Sequence, residues 1–137
     1  MNPMTTTLAQ PTRPVTAFDR GRVDAVALKA FFNLATEWGL TPADQLTLLG
    51  QPSRRTFYRW RGGEVAGLPA DTLERISVLI GIYKALAILL PVRERATAWV
   101  ARANTAFGGR SALEVMRQGR VDDLYQVRRH LDGWRGG

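Results

Sequence analysis

The chain contains no cysteine, which excludes disulfides and thiolate metal sites. Histidine is almost as scarce. The single His130 cannot build a histidine-based zinc site, so no metal is expected. Lysine is confined to Lys29 and Lys84, leaving arginine as the dominant cation. No apolar run is long enough to span a bilayer; the most apolar stretch, Ile76 to Leu90, carries Lys84 near its middle. The first residues show no basic start followed by an apolar run, so no secretory signal is expected. These absences point to a soluble cytoplasmic protein with no membrane partner.

What is present fits one domain or two small helical modules. The chain has 137 residues, a hydrophobic share of 45% and a formal charge of +7 from 19 basic and 12 acidic side chains. That apolar share is enough for a packed interior. Arginine favours planar, bidentate contacts to phosphate and guanine. Codon usage in a GC-rich genome gives the same bias, and both explanations stand.

Apolar spacing reads as helices throughout, with no strand pattern and no internal repeat, so an all-α fold is expected. Residues 1–20, with Pro3, Pro11 and Pro14 among threonines, are expected to form a flexible tail. From Gly21, Val23, Val26, Ala27, Ala30, Phe31, Leu34 and Trp38 recur at helical steps, predicting a helix of about 18 residues ended by Gly39. Thr41-Pro42 opens a short helix, and Gly50-Gln51-Pro52 breaks it. Ser53 then caps a second short helix that stops at Gly62-Gly63. This is helix-turn-helix spacing.

That second helix, residues 53–61, holds four arginines and two anchoring aromatics. Phe57 and Trp60 are three apart and share a face, expected to dock on the core. Arg54 and Arg55 lie in the first turn, where such helices touch bases. Tyr58, Arg59 and Arg61 suit backbone phosphates, and Ser53 and Thr56 complete the candidate DNA-binding set. The competing reading is an ordinary surface helix with solvated arginines.

The chain then divides at about 68/69, giving a DNA-binding region over 21–68 and a helical domain over 69–137. A long helix runs from Pro69 to Leu90 with two apolar stripes and a narrow small or polar strip through Glu74, Ser77, Gly81 and Lys84. A helix apolar on most sides must be central or shared with a second subunit, which points to a homodimer. A further helix spans Val92 to Arg102, with Trp99 inward, and a loop covers Asn104 to Arg110. Ser111 and Glu114 form a capping box for a short helix from Ala112. The last helix starts near Val121. Gly133 is expected to stop it, leaving Trp134, Arg135, Gly136 and Gly137 as an exposed tail. Trp and Arg are common interface anchors; alternatively, Trp134 folds back onto the core.

Catalytic constellations are lacking. Asp122 and Asp123 point about 100° apart on a helix and suit its N-terminus better than an acid–base dyad. The glycine pairs form no phosphate-loop or dinucleotide fingerprint. No enzyme and no cofactor are expected.

Taken in order, several motifs carry a resemblance. They are Leu49-Gly50, then Arg55 through Arg61, Leu73-Glu74-Arg75-Ile76, Ala98-Trp99-Val100, the loop Asn104 to Gly109, Ser111-Ala112-Leu113, Gly119, Val127 and Leu131-Asp132-Gly133. The stretch from about Phe31 to Gly133, about three quarters of the chain, resembles the Xre/MbcA/ParS antitoxins of bacterial RES-domain toxin–antitoxin pairs. Ala103 departs from a proline common in the family. The resemblance implies an N-terminal Xre-like helix-turn-helix packed with a C-terminal toxin-binding domain. It implies operator DNA and a RES-domain toxin as partners, autorepression of the operon, and neutralisation of an NAD-consuming toxin. It also implies that the C-terminal end obstructs the toxin's active site. Carried over by position, the toxin-binding residues are Trp134 and Arg135, with Arg128 and Arg129 at the rim, and NAD belongs to the toxin. A helix-turn-helix repressor without a toxin partner, its C-terminal part serving dimerisation, is the alternative. A protein-only adaptor is the third.

Overall fold

A computed structural model describes residues 16–136. Among these residues seven α-helices pack around one core: α1 (Ala17–Trp38), α2 (Pro42–Leu48), α3 (Arg54–Arg61), α4 (Ala70–Leu89), α5 (Arg93–Ala101), α6 (Ala112–Met116) and α7 (Val121–Gly136). A single 3-10 turn, Thr105–Phe107, lies between α5 and α6. There is no strand among the described residues, only an isolated bridge between Ala103 and Ser111. The fold is all-α, as the apolar spacing requires. Residues 1–15 of the expected tail lie outside the described residues.

Capping side chains set most boundaries. Thr16 and Asp19 form a reciprocal capping box, so α1 begins at Ala17 rather than at Gly21. Gly39, at φ 68°, closes it as expected. Thr41 and Asp44 cap α2 in the same way, and Ser111 and Glu114 cap α6. Ser53 accepts a hydrogen bond from the Thr56 N–H at 3.1 Å and starts α3.

The last helix differs from the sequence expectation. It does not stop at Gly133 but runs through Gly136, so Trp134 and Arg135 lie on a helical turn and not in an extended tail. Gly133 is absent from the glycines with positive φ, so it forms no left-handed cap. A glycine inside a helix costs only about 1 kcal/mol, too little to end one alone.

α4 is the central strut. It packs most extensively against α7, then against α1. Ile76, Leu79 and Leu86 of one stripe and Val78, Ile82 and Ala85 of the other are buried. Both stripes are thus covered within the chain, and the sidedness of this helix no longer calls for a second subunit. Its last turn leaves Ile88 exposed.

Two polar links, one part-buried and one buried, tie the first turns of α4 to segments on either side of it in the chain. Arg75, paired with Asp71, donates from Nη1 to the Gly119 carbonyl at 2.8 Å. Thr72 donates its hydroxyl to the Leu49 carbonyl at 3.2 Å. Gly50 sits against this pair at φ 93°, where an added Cβ would lie 2.9 Å from Asp71 Oδ2. The turn therefore requires glycine for both its backbone conformation and its clearance. No helix among the described residues is long and apolar enough to cross a membrane.

Candidate nucleic-acid interface and C-terminal contact surface

α3 divides its residues sharply. Phe57 is fully buried and Trp60 is 5% exposed. Phe57 meets Phe32 of α1 edge-on at 5.9 Å, which seats α3 against the body of the molecule. Arg54, Arg55, Tyr58, Arg59 and Arg61 are exposed, and Thr56 is half-buried. None of the four guanidiniums makes a hydrogen bond or ion pair among the described residues. Ser53 is exposed, but its hydroxyl also donates to Thr56 Oγ1 at 2.9 Å, so both serve the cap.

Electrostatics set α3 apart. Every other α-helix of the described residues carries an acid in its first turn, where the macrodipole favours negative charge. α3 carries Arg54 and Arg55 there and no acid. Two cations at the positive end of a helix repel the dipole and each other, a cost that an external polyanion would relieve. The preceding helix, a short turn and this helix follow one another in helix-turn-helix order, the arrangement whose second helix enters the major groove.

The C-terminal surface is built on α7. Trp134 is 45% exposed, and Arg129 and Arg135 are also exposed. Trp134 does not fold back into the core. Arg128 behaves differently from its neighbour: it pairs with Asp132 at 3.2 Å and its guanidinium lies over Gly81 of α4. A Cβ at Gly81 would overlap Arg128 Nη1, so the small residue is a cradle. Three residues earlier on α7, Tyr125 donates to Glu74 at 2.8 Å, and this bond raises the phenol pKa. Glu74 and Gly81 of the small and polar strip of α4 thus receive α7, whereas Ser77 and Lys84 of that strip are exposed.

His130 stacks on Trp99 with centroids 6.0 Å apart and planes 13° apart, and meets Phe107 at 5.1 Å. It fixes α7 against α5 and the 3-10 turn. Asp123 is buried and accepts from the Arg120 backbone and guanidinium, which lowers its carboxyl pKa. Asp122 and Asp123 therefore work at a helix start, consistent with their spacing.

These features define a small helix-turn-helix protein with a second helical module and an exposed C-terminal turn. Residues 17–81 match the antitoxin Xre-like helix-turn-helix domain, and residues 85–137 match the antitoxin Xre/MbcA/ParS C-terminal toxin-binding domain. The chain is also 51% identical over 121 residues to "Uncharacterized protein y4oB" of Sinorhizobium fredii (strain NBRC 101917 / NGR234), covering 87% of this chain and 91% of that protein. The protein belongs to the Xre/MbcA/ParS antitoxin family. Its two matches meet inside α4, between Gly81 and Ala85, so one rigid helix serves both modules without a linker.

Proposed function

We propose that the protein neutralises a RES-domain, NAD-consuming toxin with its C-terminal end and represses its own operon through α3. Residues 21–68 serve DNA binding, and residues 69–137 serve dimerisation and toxin binding. Ser53, Arg54, Arg55, Thr56, Tyr58, Arg59 and Arg61 are the DNA-binding set, Arg54 and Arg55 at bases and the rest at the backbone. Trp134, Arg135 and Arg129 meet the toxin, and Arg128 acts at the rim by holding α7 over Gly81. A guanidinium from this turn suits a cleft shaped for an anionic pyrophosphate or carrying a catalytic carboxylate. The protein itself performs no chemistry and acts in the cytoplasm, where operator and toxin are both within reach.

The observation that carries this reading is the union of a cation-faced, acid-free recognition helix with a toxin-binding module on one continuous strut. The test is co-expression with the neighbouring reading frame of the operon. Co-purification and preserved cellular NAD are expected. Separate elution, with NAD falling as it does without this chain, would leave a repressor that has no toxin partner.

A further inference from the structure

A second group of unpaired polar side chains lies beside α3. A cleft between α1 and the C-terminal end of α3 is lined by Lys29, Asn33 and Arg61 over an apolar floor that includes Phe32 and Trp60. No acid lines it; Glu64, next to it in sequence, is exposed and stands outside the lining. None of the three polar side chains makes a hydrogen bond or ion pair among the described residues. Lys29 and Asn33 are four apart on α1 and share a face. Arg61 is seven residues after Arg54, which places both on one flank of α3. The cations therefore continue sideways from the outer face of α3 onto α1.

We infer that Lys29, Asn33 and Arg61 form a clamp for the phosphodiester backbone beside the groove read by α3. The inference rests on the DNA-binding reading of α3 and adds contacts from α1, which precedes the α2–turn–α3 unit. Two convergent cations without a counter-charge repel one another, and a phosphate between them removes that repulsion. The Asn33 amide supplies a neutral donor, and the apolar floor suits the deoxyribose face.

The experiment measures affinity by fluorescence anisotropy over a range of salt concentrations, using the full chain. The duplexes are the DNA upstream of this gene and a scrambled sequence of equal length. Lys29→Ala and Arg61→Ala should each lower the slope of log affinity against log salt by about 0.9. Both should weaken the two duplexes by a common factor, since phosphate contacts carry no sequence information. Asn33→Ala should weaken binding with the slope unchanged, and Arg95→Ala, at an exposed position of α5, should leave both intact. A wild-type slope in Lys29→Ala, with binding still dependent on Arg55, overturns the clamp alone. A Lys29→Ala chain that binds DNA normally and loses the toxin also overturns it, because the occupant is then protein. Failure of the wild-type chain to bind either duplex removes the DNA-binding reading and the clamp together.

Discussion

Arg117 reaches across 73 residues of chain to Asp44, donating from Nε to Oδ1 at 2.8 Å and from Nη2 to Oδ2 at 3.1 Å. Asp44 also closes the capping box of α2, receiving the Thr41 N–H and donating its own N–H to the Thr41 hydroxyl. One carboxylate thus starts the first helix of the helix-turn-helix and pins it to the segment that follows α6. Asp44→Asn should cost about 1–2 kcal/mol, near the low end for a charge-assisted bond because Arg117 is 47% exposed. Chemical denaturation of the two proteins checks this.

The same contact sets an acid limit. The hydrogen bonds from Arg117 hold the Asp44 carboxyl below the ordinary aspartate value of 3.8, and those from Arg120 do the same for Asp123. A carboxyl whose folded pKa is depressed contributes stability that is complete above the unfolded value and fades as pH falls through the folded one. Unfolding free energy should therefore be flat in these groups at neutral pH and decline as pH drops toward and below 3.8. Asp44→Asn should show a shallower decline in the same titration.

The rings of α3 anchor the domain. Phe57→Ala should destabilise it by about 3–5 kcal/mol, since the side chain is fully buried, with Trp60→Ala close behind. Thermal melts of both variants check the magnitude. A loss below 1 kcal/mol would mean that α3 is held by something other than its rings.

Local signals are legible in the sequence because they act over three or four residues. Thr41-Pro42, Ser53 and the Ser111–Glu114 box each mark a helix start that the structure reproduces. The Thr16–Asp19 box was equally present, but the glycine at 21 drew the boundary downstream. Gly133 does not end α7 for the same reason, since glycine permits a helix end without imposing one. The partnership of Gly81 with Arg128, and of Asp44 with Arg117, depends on which helices meet in space. No spacing rule in one chain discloses that. The apolar girth of α4 was legible, whereas its cover was not: α1 and α7 of the same chain supply it.

Gly81 gives a separable test of the C-terminal surface. Gly81→Ala should displace the Arg128 guanidinium from its place over α4, a shift that the flexible end of the side chain makes without moving the helix. Toxin neutralisation should weaken while DNA binding stays intact. Arg128→Ala alone should weaken neutralisation to a similar extent, and adding Gly81→Ala to it should cost nothing more, as a co-expression growth assay would report.

The outward guanidiniums of α3 carry the proposed DNA binding, and one measurement tests them directly. Operator affinity and melting temperature should be compared between the native chain and Arg54→Ala/Arg55→Ala. Both side chains are exposed and unpaired among the described residues, so the expected result is loss of operator preference with melting essentially unchanged. Retained operator preference, or a collapse in melting temperature, would contradict it.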